Sequence, residues 1–254
     1  MKKRATRKFD LFFSILIPTY NGADVVEDTI RSLLTQSFDN FEIIVQDDAS
    51  SDNTVKVIRL LKDRRIKVYR NKKNLGYSKN LNKLSKRAKG DIIYLMGQDD
   101  ILAEDALLNT YKAFKRSKDI GIVARPYYWF FHDIDTPVRA TKQLNPNKDE
   151  IIRVTDNYDR IILLIDVAGQ LSGLAYRREY LDREFHEDIF PCHVYPFASI
   201  LKKHPAVFLK DYNLAVRIGS SQARYVSWIY DKSPLLSWVE FFNDVFGGDE
   251  YKDL

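Results

Sequence analysis

Through its first half the chain alternates short apolar runs with stretches whose apolar positions recur every three to four residues. Runs at 12–18, 41–46, 66–70 and 91–96 predict strands, and periodic stretches at about 23–36, 53–62, 78–88 and 104–117 predict helices. Strand and helix alternating at this spacing predict a mostly parallel central sheet flanked by helices, with its ligand edge at the carboxyl ends of the strands. Beyond Ile120-Gly-Ile-Val-Ala the rhythm fails. An aromatic segment, Pro126-Tyr-Tyr-Trp-Phe-Phe, leads into a polar region at 132–150; helices are then predicted at about 156–165 and 194–203, and strands at 173–177 and 206–209. This half reads as smaller, less regular and partly antiparallel. With no linker or internal repeat in sight, the halves are expected to share one core.

Two of the apolar runs stop at adjacent carboxylates, Asp47-Asp48 and Asp99-Asp100. Asp often closes a strand or caps a helix simply because the chain meets water there. Two such pairs, each ahead of a helix start, point further, to a rim that holds something cationic or rich in hydrogen-bond donors. The run Ser14-Ile-Leu-Ile-Pro-Thr-Tyr-Asn-Gly also ends in a turn and leaves Thr19, Tyr20 and Asn21 at the sheet edge. Tyr20 fits either half-buried packing or stacking on a base. Asp52 or Asn53 suits the cap of the next helix, whereas Asp48 has no evident structural duty.

Composition narrows the setting. In 254 residues, 45% hydrophobic and 13% aromatic content supply a sizeable core. A lone cysteine, Cys192, forms no internal disulfide, and no Asn-X-Ser/Thr acceptor occurs, so a cytoplasmic setting is expected. The basic start at 1–8 resembles the head of a signal peptide, but the following apolar stretch is broken at Pro18, and none is expected. No apolar run approaches the roughly 18 residues of a spanning helix, so membrane contact is expected to be peripheral, at the inner face. Net charge is +5 but uneven: thirteen Lys or Arg stand against Asp63 alone at 59–89, while six acidic residues face two lysines at 231–254. The basic stretch reads as a solvated face or as a surface for anionic lipid or a polyanionic acceptor. Nucleic acid is not expected, since no helix-turn-helix, zinc or aromatic RNA-binding signature accompanies the charge.

Four segments in order carry a family resemblance: Ser14-Ile-Leu-Ile-Pro-Thr-Tyr-Asn, Glu42-Ile-Ile-Val-Gln-Asp-Asp-Ala-Ser-Ser-Asp-Asn-Thr, Asn74-Leu-Gly-Tyr-Ser-Lys-Asn and Gly90-Asp-Ile-Ile-Tyr-Leu-Met-Gly-Gln-Asp-Asp. Over about 12–118 the chain resembles the family 2 glycosyltransferases. That resemblance implies a GT-A-like α/β fold and inverting transfer of a hexosyl-type sugar from a nucleotide-diphosphate donor, with a pyrimidine base, to a glycan or lipid-linked acceptor. It divides the chain into a nucleotide-sugar-binding half at 10–120, an acceptor-binding half at 121–230 and a C-terminal amphipathic helix at 231–254.

The resemblance also assigns residues. It implies that Pro18, Thr19 and Tyr20 line the base pocket, that Asp48 meets the pyrimidine, and that Asn74, Gly76, Lys79 and Gln98 lie at the nucleotide. Asp99 and Asp100 match the end of the family's Asp-X-Asp motif and are implied ligands of a divalent metal, Mg2+ or Mn2+, that neutralises the departing diphosphate. Gly97 stands where that motif begins with Asp, and the family's late histidine ligand falls near Arg217-Ile-Gly219, which has none. Arg217 or Arg224 is then a candidate contact for the diphosphate. For the base that deprotonates the acceptor, Asp188 is the leading match, with Glu187 and His193 behind it.

Rival enzyme readings lack their loops. No Gly-rich basic loop of a sugar-phosphate nucleotidyltransferase follows the first strand, and neither Gly-X-Gly-X-X-Gly nor Gly-X-X-X-X-Gly-Lys occurs there. A non-catalytic nucleotide- or glycan-binding module is the alternative from another class. The segment at 233–246 has apolar residues at 235, 238, 239, 242, 245 and 246, a face too wide to leave exposed. It is expected to pack on its own domain or, failing that, to mediate self-association.

Overall fold

Strands β1 (Phe13–Thr19) and β2 (Phe41–Asp47) are buried at every position, as a continuous apolar run must be when a sheet is covered on both faces. They pair in parallel, and β3 (Ile66–Arg70) and β4 (Ile92–Leu95) extend the parallel set on either side. The structure is a computed structural model, and it describes residues 9–186, 191–219 and 234–248. Helices α1 (Val26–Leu34), α2 (Thr54–Leu60), α3 (Tyr77–Ser85) and α4 (Ala106–Lys115) follow β1 to β4 in the alternation that the periodicity predicts. Gly90 lets β4 begin against β1: a Cβ there would stand 2.4 Å from the Ser14 backbone nitrogen.

The second half adds strands to the same sheet. Among the described residues it contributes β6 (Ile122–Ala124), β9 (Glu150–Ile152), β10 (Ala175–Arg177) and β11 (Ala206–Phe208), giving the order β3-β2-β1-β4-β10-β6-β11-β9. β10 runs antiparallel to both β4 and β6, so one core spans both halves of the chain. Helices α5 (Tyr158–Ala168) and α6 (Val194–Leu201) pack on β6 from this half.

A second, smaller sheet was not predicted. Strands β5 (Ile101–Leu102), β7 (Tyr128–Phe130), β8 (Arg139–Ala140) and β12 (Leu214–Arg217) form it in the order β5-β12-β7-β8. Strands of two to four residues are too short to display a period, which is why their pattern is silent. The sheet matters because β5 leaves directly from Asp99-Asp100, and its partner β12 brings Arg217 back to that turn.

The C-terminal segment forms α7 (Pro234–Phe246) and packs on α6. Its buried residues are Ser237, Phe241, Val245 and Phe246, with Phe241 edge-on to Tyr195 at 5.2 Å, while Leu236 and Val239 face outward. Of the expected face, Val245 and Phe246 are buried, Trp238 and Phe242 pack half-buried against the core and Val239 is exposed, so this helix packs on its own domain. No helix among the described residues is long and apolar enough to cross a membrane.

Candidate functional site

β1 lies between β2 and β4, with Thr19 in register with Asp47 and Leu16 with Leu95. The turn after β1 is thereby set between the two acidic pairs at the carboxyl rim. Asn21 turns the chain there with a positive φ of 46°, donates its N–H to Ser50 Oγ at 2.9 Å and accepts the Ser51 N–H at 2.9 Å. Pro18 and Thr19 are buried and Tyr20 is half-buried. The buried Thr19 hydroxyl finds no hydrogen-bond partner among the described residues.

The two carboxylates of the first pair have separate tasks. Asp47 is fully buried, accepts the Ser50 N–H and faces Arg70 Nε at 3.3 Å, so it shapes the turn. Asp48 has the structural duty that its sequence context did not reveal. Its Oδ1 accepts the Leu75 N–H at 2.8 Å and Asn71 Nδ2 at 2.7 Å, and its Oδ2 accepts the Gly76 N–H at 2.9 Å. A carboxylate offers about four acceptor positions, and three donors fill those of Asp48, which is 3% exposed. Asn71, which sequence reasoning missed, ties Asp48 to Asn80 Oδ1 at 2.8 Å and receives Lys83 Nζ at 2.8 Å. A single buried Asn in a basic stretch carries no pattern that marks it.

The 74–76 loop closes on itself, Asn74 Oδ1 accepting the Gly76 N–H at 2.9 Å. Gly76 has φ +85°, and the space where a Cβ would project is open within 4 Å. Positive φ and open space together suit glycine and a closely approaching ligand. Lys79 is exposed on the first turn of α3.

At the second pair, two expected ligand contacts turn out to be internal. Gln98 is buried and spends its amide on Tyr20, accepting the Tyr20 N–H at 3.0 Å and donating to the Tyr20 carbonyl at 3.2 Å. It aligns the turn after β1 instead of facing a nucleotide. Asp100, expected as a metal ligand, is 2% exposed and surrounded by donors: Ser172 Oγ at 2.5 Å, Gln170 Nε2 at 2.8 Å and the Arg217 N–H at 3.0 Å. Burial and the neighbouring Asp99 push its carboxyl up to about 8. Its burial behind three donors works against cation ligation, which needs an accessible oxygen.

Asp99 remains half-buried at the rim, with Arg217 Nε on its carbonyl at 3.2 Å. The Arg217 guanidinium continues to Asp28 Oδ2 at 3.1 Å and lies over the Phe130 ring at 4.8 Å. A positive charge therefore stands beside the acidic turn. Gly97 is explained by crowding: a Cβ there would meet Asp100 Oδ2 at 3.0 Å, Asp99 Oδ1 at 3.1 Å and Ser172 Oγ at 3.1 Å. No group of three His, Cys, Asp or Glu side chains among the described residues is arranged to hold a cation. Mg2+ and Mn2+ at diphosphates rely on one or two protein carboxylates, with phosphate oxygens and water completing the shell. Asp99 fits a cation that arrives with a diphosphate, not one held by protein alone.

The expected base falls partly out of view, since Glu187 and Asp188 lie outside the described residues. His193 is described, at the start of α6, and is 1% exposed. Neither ring nitrogen makes a well-formed hydrogen bond, and burial pushes the imidazole down to about 4 against a smaller upward pull from the backbone of Ala168 and Gly169. A group sealed in this way does not meet an acceptor hydroxyl, so the structure removes His193 from the candidate bases.

A profile described as Glycosyl transferase family 2 matches residues 14–183, spanning both the rim motifs and β10. The chain belongs to that family. Among its family 2 relatives, the abequosyltransferase RfbV of Salmonella typhimurium is 30% identical over 191 residues, covering 68% of this chain and 54% of that protein. Other curated relatives are matched over 38% of their length, so the chain spans about half of such relatives or less. The crystal structure of S. aureus TarS with UDP-GlcNAc superposes with a TM-score of 0.72 at 18% identity, covering 95% of this chain and 74% of that one. The mannosyltransferase PcManGT from Pyrobaculum calidifontis, solved with GDP-Man and Mn2+, superposes with a TM-score of 0.60 at 19% identity, covering 87% and 60%. These likenesses show the fold, which is GT-A-like.

Proposed function

We propose that the chain transfers a hexosyl-type sugar from a nucleotide-diphosphate donor, with inversion, to a hydroxyl of a glycan or lipid-linked acceptor in cell-surface polysaccharide synthesis. The observation that carries this reading is the rim itself: the Thr19-Tyr20 turn, Asp48 with the Gly76 loop, and half-buried Asp99 stand on three neighbouring strands of a family 2 fold. Support for a nucleotide-sugar donor comes from the ligands of TarS and PcManGT, and for sugar transfer from the abequosyltransferase activity named for RfbV.

In this reading Tyr20 stacks on the base, and Asp48 holds the 74–76 loop beside it. Backbone at Gly76 and the exposed Lys79 approach the phosphates. Asp99 is the residue that would hold Mg2+ or Mn2+, and the cation would supply charge neutralisation for the departing diphosphate. Arg217 steadies Asp99 through its carbonyl and adds positive charge on the same side. The acceptor hydroxyl attacks the sugar carbon opposite the leaving diphosphate and gives its proton to a carboxylate; Asp188, with Glu187 beside it, is the group assigned.

The test is a panel of UDP-, dTDP- and GDP-sugars scanned by thermal shift with Mn2+, followed by donor hydrolysis with the best binder. Selective binding raises the melting temperature by mass action, and slow hydrolysis that Asp188→Asn suppresses is the expected result. Binding without hydrolysis or transfer, with any acceptor tried, would assign the chain to the non-catalytic module instead.

A further inference from the structure

The fourteen basic residues at 56–89 are not used alike. Several serve the fold: Lys67 pairs with buried Glu42, Arg70 with Asp47, Arg65 with Asp63 and Lys86 with Glu184, while Arg87 lies over the Tyr69 ring at 3.8 Å. A second set serves nothing internal. Lys56, Arg59, Lys62, Lys72 and Lys73 are exposed and form no ion pair among the described residues, and Arg64 is exposed beside the Asp63–Arg65 pair. These residues run along one flank, from the solvent side of α2 past both ends of β3, and β3 is the edge strand of the large sheet.

Basic side chains on an edge strand commonly guard it against pairing with another sheet. That role accounts for charge but not for Leu60. Leu60 is 65% exposed, the most exposed large apolar side chain among the described residues, and it sits within the basic set. On α2 the outward positions are Lys56, Arg59 and Leu60, at the i, i+3 and i+4 spacing of one helix face, while Thr54 and Ile58 turn inward. A protruding leucine ringed by unpaired cations matches a surface that is negative outside and apolar beneath.

We propose that this flank docks on an anionic phospholipid bilayer, with Lys56, Arg59, Lys62, Arg64, Lys72 and Lys73 facing the headgroups and Leu60 entering the acyl boundary. Nucleic acid or a soluble polyanion would satisfy the charges and leave Leu60 without a role. Lys72 and Lys73 directly precede Asn74 of the rim loop, so docking brings the mouth of the candidate site to the lipid surface. The docking does not rest on the transferase reading, because it is measured without donor or acceptor.

The experiment is co-flotation of the full chain with vesicles of phosphatidylcholine alone or mixed with phosphatidylglycerol, across a salt series, with a DNA duplex as competing polyanion. Wild type is expected on the anionic vesicles only. Each basic residue near such a surface contributes roughly fivefold to partitioning, so the Lys56→Gln, Arg59→Gln, Lys62→Gln, Arg64→Gln combination should weaken it by about a hundredfold or more. Leu60→Ser should weaken it by about tenfold and leave a binding that salt abolishes more completely. All five positions are exposed, so unchanged circular dichroism and melting are expected. Equal binding to neutral vesicles, unchanged partitioning in the fourfold variant, or DNA binding as tight as vesicle binding and indifferent to Leu60→Ser would each overturn the proposal.

Discussion

The Asp48 carboxylate accepts the backbone N–H of Gly76 at 2.9 Å, tying the end of β2 to the loop that opens α3. The same oxygen pair holds Leu75 and Asn71, so the acidic residue that resembles a base contact is also the anchor of the loop beside it. Asp48→Ala leaves these donors unpaired. It should cost about 1–3 kcal/mol of stability as well as nucleotide affinity, read by urea denaturation and by nucleotide titration. A variant of native stability with weakened nucleotide binding alone would show that the loop does not depend on this anchor.

Asp99 and Asp100 should separate on substitution. Asp99→Ala is expected to abolish Mn2+-dependent donor binding, read by nucleotide titration with and without Mn2+. Asp100→Ala should instead destabilise the protein by about 1–3 kcal/mol, since Ser172, Gln170 and the Arg217 N–H lose their acceptor. The same effect from both substitutions would contradict this division of labour.

Restoring the family's acidic residue should not help. Gly97→Asp brings a Cβ to 3.0 Å from Asp100 Oδ2 and 3.1 Å from Asp99 Oδ1 and adds a third acidic side chain to the turn, and lower stability with no gain in Mn2+ affinity is expected. Calorimetric titration with Mn2+ and nucleotide decides it.

His193 makes stability depend on pH. Burial holds its folded pKa at about 4, below the ordinary value of 6.5, so between those limits the unfolded chain binds a proton that the folded chain refuses. Its contribution is complete above pH 6.5 and is lost as pH falls through that window towards 4. His193→Phe, which fills similar volume without a titrating group, should flatten the slope in denaturation midpoints measured across it.

The packing of α7 has its own signature. Phe241 is 1% exposed against Tyr195, and Phe241→Ala should cost about 3–5 kcal/mol by cavity formation. Leu236→Ala on the outer face, 55% exposed, should change the denaturation midpoint little. Equal effects at the two positions would reverse the orientation of the helix.

Local pattern was enough to determine the alternating half of this protein: the four parallel strands, their helices, the two acidic strand ends and the four ordered motifs are all properties of neighbouring residues. It also determined the family, since those motifs recur in sequence order. Tertiary structure alone decided which distant partners these carboxylates take. Asp48 and Asp100 are claimed by Gly76, Ser172 and Arg217, which lie 28, 72 and 117 residues away in the chain. It likewise paired β5 with β12 and turned α7 so that Phe241 faces Tyr195. The division has one physical reason: hydrophobic periodicity is written between near neighbours, whereas the partner that satisfies a buried polar group is chosen only when distant segments are brought together in the fold.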